Sequence, residues 1–158
     1  MEQPSFKEGA LSGHQETADY WLNRIIELTG GLPTQGGFLK LGEIIDPNEP
    51  PKLCGTLRVG EIPDEKVTSR FERSDEKAVR LAQNPDHRTS HESRDETNGK
   101  FGGAVRIGSR WILTYAGSSE EGDEAFCLLM ADELSLGNPG ETDRIADIRP
   151  NTIYHRLV

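Results

Sequence analysis

The chain has 158 residues, enough for one domain with a buried core, and its apolar fraction of 34% is low. Its net charge of −9 argues against nucleic acid and anionic membranes as partners, because both need a positive protein face. It has no run of about 18 apolar residues, and its polar N-terminal segment lacks the apolar core of a signal peptide, so we expect a cytoplasmic protein with no membrane partner.

The first half of the chain predicts a helix followed by two strands. Residues 1–15 are expected to form a loose arm. Apolar residues recur at three- and four-residue spacing over Thr17–Thr29, which is typical of an amphipathic helix. Two strand-like runs then lie on either side of the proline-rich turn Asp46–Pro51, namely Phe38–Ile45 and Leu53–Val59.

Each of these two runs has one apolar face. Leu39, Leu41 and Ile45 share one side of the first run. The second run alternates apolar and polar residues, which favours a half-buried antiparallel strand. Its apolar side consists of Leu53, Leu57 and Val59.

The middle of the chain predicts a short helix and a long loop. Ser74 is a suitable N-cap for a helix that runs to about Gln83, where Asn84-Pro85 ends it. The segment 86–100 contains no apolar residue, so we expect a long solvated loop there.

The clearest pattern lies between Gly102 and Leu134. A capping-box spacing at Ser118–Glu121 begins a helix that is apolar without a break over Ala125–Ala131, so this helix is predicted to be buried on most sides. Before it, a glycine-first turn at Gly108-Ser109 predicts a tight hairpin between two short runs, Ala104–Ile107 and Arg110–Tyr115.

The element order predicts a single α+β domain over residues 16–137, with an antiparallel twisted sheet and helices packed on it. Hairpins accompany the helices instead of single strands alternating with them, which favours this class over a doubly wound sheet. Residues 138–158 are predicted to form a tail with an edge strand near Thr152–Leu157.

Five local strings stand out in this order of elements, namely Leu39–Asp46, Gly55–Arg58, Glu76–Ala78, Gly102-Gly103 and Ala116–Ala125. Together with the order, they resemble the GlcG/HbpS-like family, haem-binding proteins with a profilin-like fold. The resemblance covers about Thr17–Leu134, and it implies a small-molecule-binding protein that self-associates, with haem or another tetrapyrrole as the leading ligand.

Five residues are candidates for binding a ligand. Gly102 and Gly103 would let a backbone approach a ligand closely, although such a pair more often begins a strand or forms a bulge. Asp123 and Glu124 form a carboxylate pair suited to acid–base chemistry, but acids at a helix start are more often structural. Gly117 belongs to the turn before them, and the family resemblance implies that this turn is the first place to look for a bound ligand.

His87 and His91 are candidates for a metal or for haem iron. On a helix their four-residue spacing would place both imidazoles on one face, with Glu92 or Asp95 as a third ligand. The helix-breaking Asn84-Pro85 favours a solvated loop instead.

Three functions therefore remain open. The first is a small-molecule-binding oligomer, and the second is a non-catalytic interaction or oligomerisation module without a cofactor. The third is a small enzyme that uses Asp123 and Glu124. No arrangement in the sequence indicates catalysis, so a binding protein that oligomerises is favoured.

Overall fold

The computed structural model describes residues 7–31 and 35–158. The described residues form one antiparallel sheet and five helices, which confirms the prediction of an α+β fold. In chain order the elements are α1 (Gln15–Thr29), β1 (Gly37–Glu43), β2 (Lys52–Val59), α2 (Val67–Ala82), β3 (Ala104–Ile107), β4 (Trp111–Thr114), α3 (Glu120–Glu133), α4 (Glu141–Ile148) and α5 (Thr152–Leu157).

The sheet has the order β2-β1-β4-β3, so the two hairpins meet along β1 and β4. In the register, Lys40 of β1 lies opposite both Thr56 of β2 and Thr114 of β4. One face of the sheet packs against α1, α3 and α4, with α5 packed on these three helices, and the other face packs against α2. Residues from Gly122 to Ala131 of α3 are all buried, as its unbroken apolar run predicts.

A β-bulge changes the face that the start of β2 presents. Leu41 pairs with Gly55 and Gly42 pairs with Leu53, so Cys54 is the extra residue. Cys54 packs against the main core, whereas Leu53 is 51% exposed. The predicted apolar face is therefore correct for Leu57 and Val59, which are buried, and wrong for Leu53.

Both edges of the sheet are covered by irregular segments. The Thr56 N–H on β2 donates to Lys7 O at 2.9 Å, and Arg106 N–H on β3 donates to Arg88 O at 2.8 Å. Leu11 is fully buried, so the prediction of a loose arm is wrong for residues 7–15, while residues 1–6 lie outside the described part of the chain. Covered edges offer little opportunity for strand addition.

The segment 86–100 is irregular, as predicted, but it is not solvated throughout. Thr89 and Ser90 are buried, and Ser90 Oγ accepts a hydrogen bond from Ala104 N at 3.0 Å. Thr89 also forms a capping box with Glu92 at the start of a 3₁₀ turn. The prediction of a solvated loop rested on the absence of apolar residues. Hydrogen bonds attach the loop to the domain instead, and the composition of the segment does not reveal them.

The predicted edge strand near Thr152–Leu157 is wrong, because this segment is helix α5. Asn151 caps it by accepting a hydrogen bond from Tyr154 N at 2.9 Å. Ile145, Ile153 and Tyr154 are buried in the same core as the sheet and α3. The tail therefore completes the domain.

Helix α2 begins earlier than predicted, at Val67, and Ser74 lies inside it.

Within the described ranges, no helix is both long and apolar enough to cross a membrane.

Candidate functional site

A buried ion pair joins α2 to the beginning of α3. Lys77 Nζ lies 3.1 Å from Asp123 Oδ2 and donates to Tyr115 O at 2.9 Å. The two charged side chains are only 1% and 3% exposed. Burial raises the pKa of Asp123, and the Lys77 ammonium and the Ser118 donors oppose that rise. Asp123 Oδ1 also accepts from the backbone N–H groups of Gly117 and Ser118, so this carboxylate holds the turn before α3 in place.

Gly103 and Gly117 are required by packing inside the domain. Gly103 has φ +122°, and a Cβ there would lie 2.6 Å from Lys77 Nζ and 2.8 Å from Asp123 Cβ. A Cβ at Gly117 would lie 2.7 Å from the backbone of Gly36. The space that a side chain would need beside each glycine is already filled by the chain itself.

Glu124 lies near the start of α3, and Gly102, which precedes β3, is hydrogen-bonded to the first residue of that helix. Glu124 is 1% exposed, and its Oε2 accepts from Asn151 Nδ2 at 2.8 Å. Its Oε1 is buried with no partner among the described residues, and burial raises the pKa of this carboxyl. Gly102 N–H donates to Glu120 Oε1 at 2.7 Å. Asp123 and Glu124 are both buried, so neither carboxylate is exposed to solvent.

The structure does not place His87 and His91 on one helix. His91 lies in a 3₁₀ turn with Nδ1 3.0 Å from Arg149 Nη1, and burial together with that cation lowers its pKa. His87 Nδ1 is buried, and it has no hydrogen-bond partner among the residues that the structure describes. The described residues contain no cluster of three or more His, Cys, Asp or Glu side chains suited to a metal ion, so the predicted site has no third ligand there.

A cleft opens between α2 and the β1–β2 hairpin, which we name the hairpin cleft. Its volume is about 270 Å³. The hairpin contributes Pro50, Pro51 and Leu53 to one wall, and α2 contributes Ala78 and Val79 to another. Its polar lining residues are Lys40, Asp75 and Thr114. A concave, mostly apolar surface with few polar groups is typical of sites for small molecules.

The polar part of the hairpin cleft is an ion pair of unequal exposure. Lys40 Nζ donates to Asp75 Oδ1 at 2.6 Å and to Phe71 O at 2.8 Å, and it lies 3.3 Å from the centre of the Phe71 ring. Burial lowers the pKa of Lys40, and Asp75 opposes this shift. The Lys40 side chain is 3% exposed, whereas that of Asp75 is 53% exposed. Asp75 is therefore the group that a ligand would meet.

Sequence reasoning did not select Lys40 or Asp75. The available signal was a lysine inside the apolar run Phe38–Leu41, at a position that alternation places away from the main core. No signal pointed to Asp75, which lies 35 positions from Lys40 on an ordinary amphipathic helix.

No protein-family model matches the chain, and no curated protein or solved structure is significantly similar to it. The fold and the cleft define a single-domain α+β protein with a candidate small-molecule site. Its resemblance to the GlcG/HbpS-like family, and its cytoplasmic location, stay predictions.

Proposed function

We propose that this protein binds a small organic molecule in the hairpin cleft. The observation that carries this proposal is the combination of a concave apolar surface with one open carboxylate, that of Asp75. Apolar lining supplies affinity through burial, and a single polar group fixes the orientation of the bound molecule. Helix α2 packs on β1 and β4, and the hairpin is itself half of the sheet, so the fold holds both walls of the cleft in place.

The lining residues indicate the chemistry of the ligand. Lys40 already has a carboxylate, a carbonyl and an aromatic ring as partners, and Thr114 Oγ1 donates to Ser74 O. Asp75 remains able to accept a further hydrogen bond. The ligand is therefore a small, largely apolar molecule that carries an amine or hydroxyl donor. The volume lies just below the range of about 300–1,000 Å³ for drug-sized ligands.

Haem does not fit this site. The hairpin cleft has no histidine, cysteine or methionine in its lining, and neither His87 nor His91 borders it. His91 Nδ1 is engaged with Arg149 instead. The binding function implied by the family resemblance is retained in the proposal, with a metal-free organic ligand in place of a tetrapyrrole.

Replacing Leu53 with Ser tests the proposed site, because it removes an apolar side chain without adding a charge that would attract an amine. Leu53 is half-exposed, so the variant should fold, but the cleft loses an apolar wall contact worth about 1 kcal/mol, or roughly fivefold in Kd. A matched control is Tyr20→Ser, because Tyr20 is 55% exposed on α1 and does not border the cleft. Binding of amine-bearing aromatic fragments is measured by ligand-observed NMR. Equal weakening by both variants, or by neither, would remove the cleft from consideration.

A second candidate function is self-association through the same hairpin. Ile45 lies in the β1–β2 connection and Leu53 at the start of β2, and their side chains are 69% and 51% exposed. Since both sheet edges are covered, a second copy would dock on these side chains and not on a strand. Static light scattering should then give a dimer mass that Ile45→Ser lowers to that of a monomer. A monomer mass for the unmodified protein at high concentration contradicts this candidate.

A further inference from the structure

A second cavity lies further along α2 and has a different chemistry. Its volume is about 180 Å³, and Arg88 and Arg106 both line it. Arg106 is 5% exposed, whereas Arg88 is exposed. Two arginines therefore line one small cavity, although the chain as a whole has a net charge of −9. We name it the arginine cavity.

Backbone carbonyls hold both guanidinium groups in place. Arg106 Nε donates to His87 O at 3.0 Å, and its Nη2 donates to Leu81 O at 2.6 Å. Arg88 Nη1 donates to Gly108 O at 2.6 Å. Carbonyl oxygens orient a guanidinium without neutralising it. The partial negative charge at the C-terminus of α2 also stabilises the Arg106 cation.

Neither guanidinium has a carboxylate within ion-pair distance in residues 7–31 and 35–158. The carboxylates of Glu92 and Glu141 accept hydrogen bonds from backbone groups instead. Glu92 Oε2 accepts from the backbone N–H groups of Arg88 and Thr89, and Glu141 Oε2 accepts from Gly108 N–H. The two positive charges therefore face the cavity together, and burial and the neighbouring Arg88 both lower the pKa of Arg106.

We propose that the arginine cavity binds a small oxyanion between Arg88 and Arg106. A guanidinium pairs with carboxylate or phosphate oxygens through two parallel hydrogen bonds, and an anion would remove the repulsion between these two cations. The rest of the lining is largely apolar, with Ile44, Pro47, Ala82 and Pro85. This half of the cavity favours a carboxylate that carries a short hydrocarbon chain. The site is separate from the hairpin cleft and does not depend on the function proposed for it.

The test follows the amide NMR signals of Gly108 and Ser109 at constant ionic strength. Isobutyrate should shift them saturably, and the neutral isostere isobutyramide should not. Arg88→Gln should weaken isobutyrate roughly tenfold or more, because a hydrogen bond to a charged group is lost. The matched control is Arg110→Gln. Arg110 lies on the β3–β4 hairpin, as Arg106 does, but it pairs with Glu43, so its replacement should leave the affinity unchanged.

Three results would overturn the proposal: no saturable shift with either isobutyrate or phosphate, equal binding of isobutyramide, or unchanged affinity in Arg88→Gln. Shifts with phosphate alone would support the oxyanion site and assign it to an inorganic ligand. Arg106 is left unchanged in this design, since it also stabilises the end of α2.

Discussion

Replacing Lys77 with Met should lower the free energy of unfolding by about 3–5 kcal/mol. The substitution keeps the volume of the side chain but leaves the Asp123 carboxylate buried without its cation, which is strongly destabilising. It also removes the hydrogen bond to Tyr115 O. Urea denaturation at neutral pH measures the loss.

The control for this variant is Arg24→Met, which breaks the ion pair between Arg24 and Glu27. That pair is solvent-exposed on α1, so its loss should cost no more than about 1 kcal/mol. Adding Asp123→Asn to Lys77→Met should recover part of the stability, because the unpaired charge is removed. A loss below about 1 kcal/mol in Lys77→Met would show that the ion pair does not support the fold.

Replacing Gly103 with Ala should cost about 2–5 kcal/mol. At φ +122° a side chain is strained, and its Cβ would collide with Lys77 Nζ and the Asp123 side chain. Gly108→Ala is the matched control: its φ is also positive, at +61°, but a Cβ there has nothing within 4 Å. The control should cost about 1–2 kcal/mol from backbone strain alone. Equal losses in urea denaturation would mean that the space beside Gly103 is not closed.

The sequence was sufficient to predict the order of the elements from α1 to α3. Apolar periodicity fixed α1, and the unbroken apolar run fixed α3 as a buried helix. It was not sufficient for α5, whose six residues are too few to show a period clearly. Nor did it reveal the bulge at Cys54, since alternation alone predicts Leu53 on the core side and a one-residue insertion reverses it.

The candidate sites were harder to predict because their partners are distant in the chain. Asp123 and Gly103 were selected from local patterns, but their roles depend on Lys77, which is 46 positions from Asp123. A glycine that admits a ligand and a glycine that admits a buried lysine have the same sequence pattern. The hairpin cleft depends likewise on the meeting of Lys40 with Asp75, which no local pattern indicates.

The central claim is that the hairpin cleft binds a small, apolar, donor-bearing molecule. It is tested most directly by mapping amide chemical-shift changes while amine-bearing fragments are added to the unmodified protein. The account predicts saturable shifts concentrated at Lys52, Leu53, Asp75–Val79 and Thr114. Shifts centred on other residues, or a haem titration that gives a saturating Soret band while no fragment binds, would contradict it.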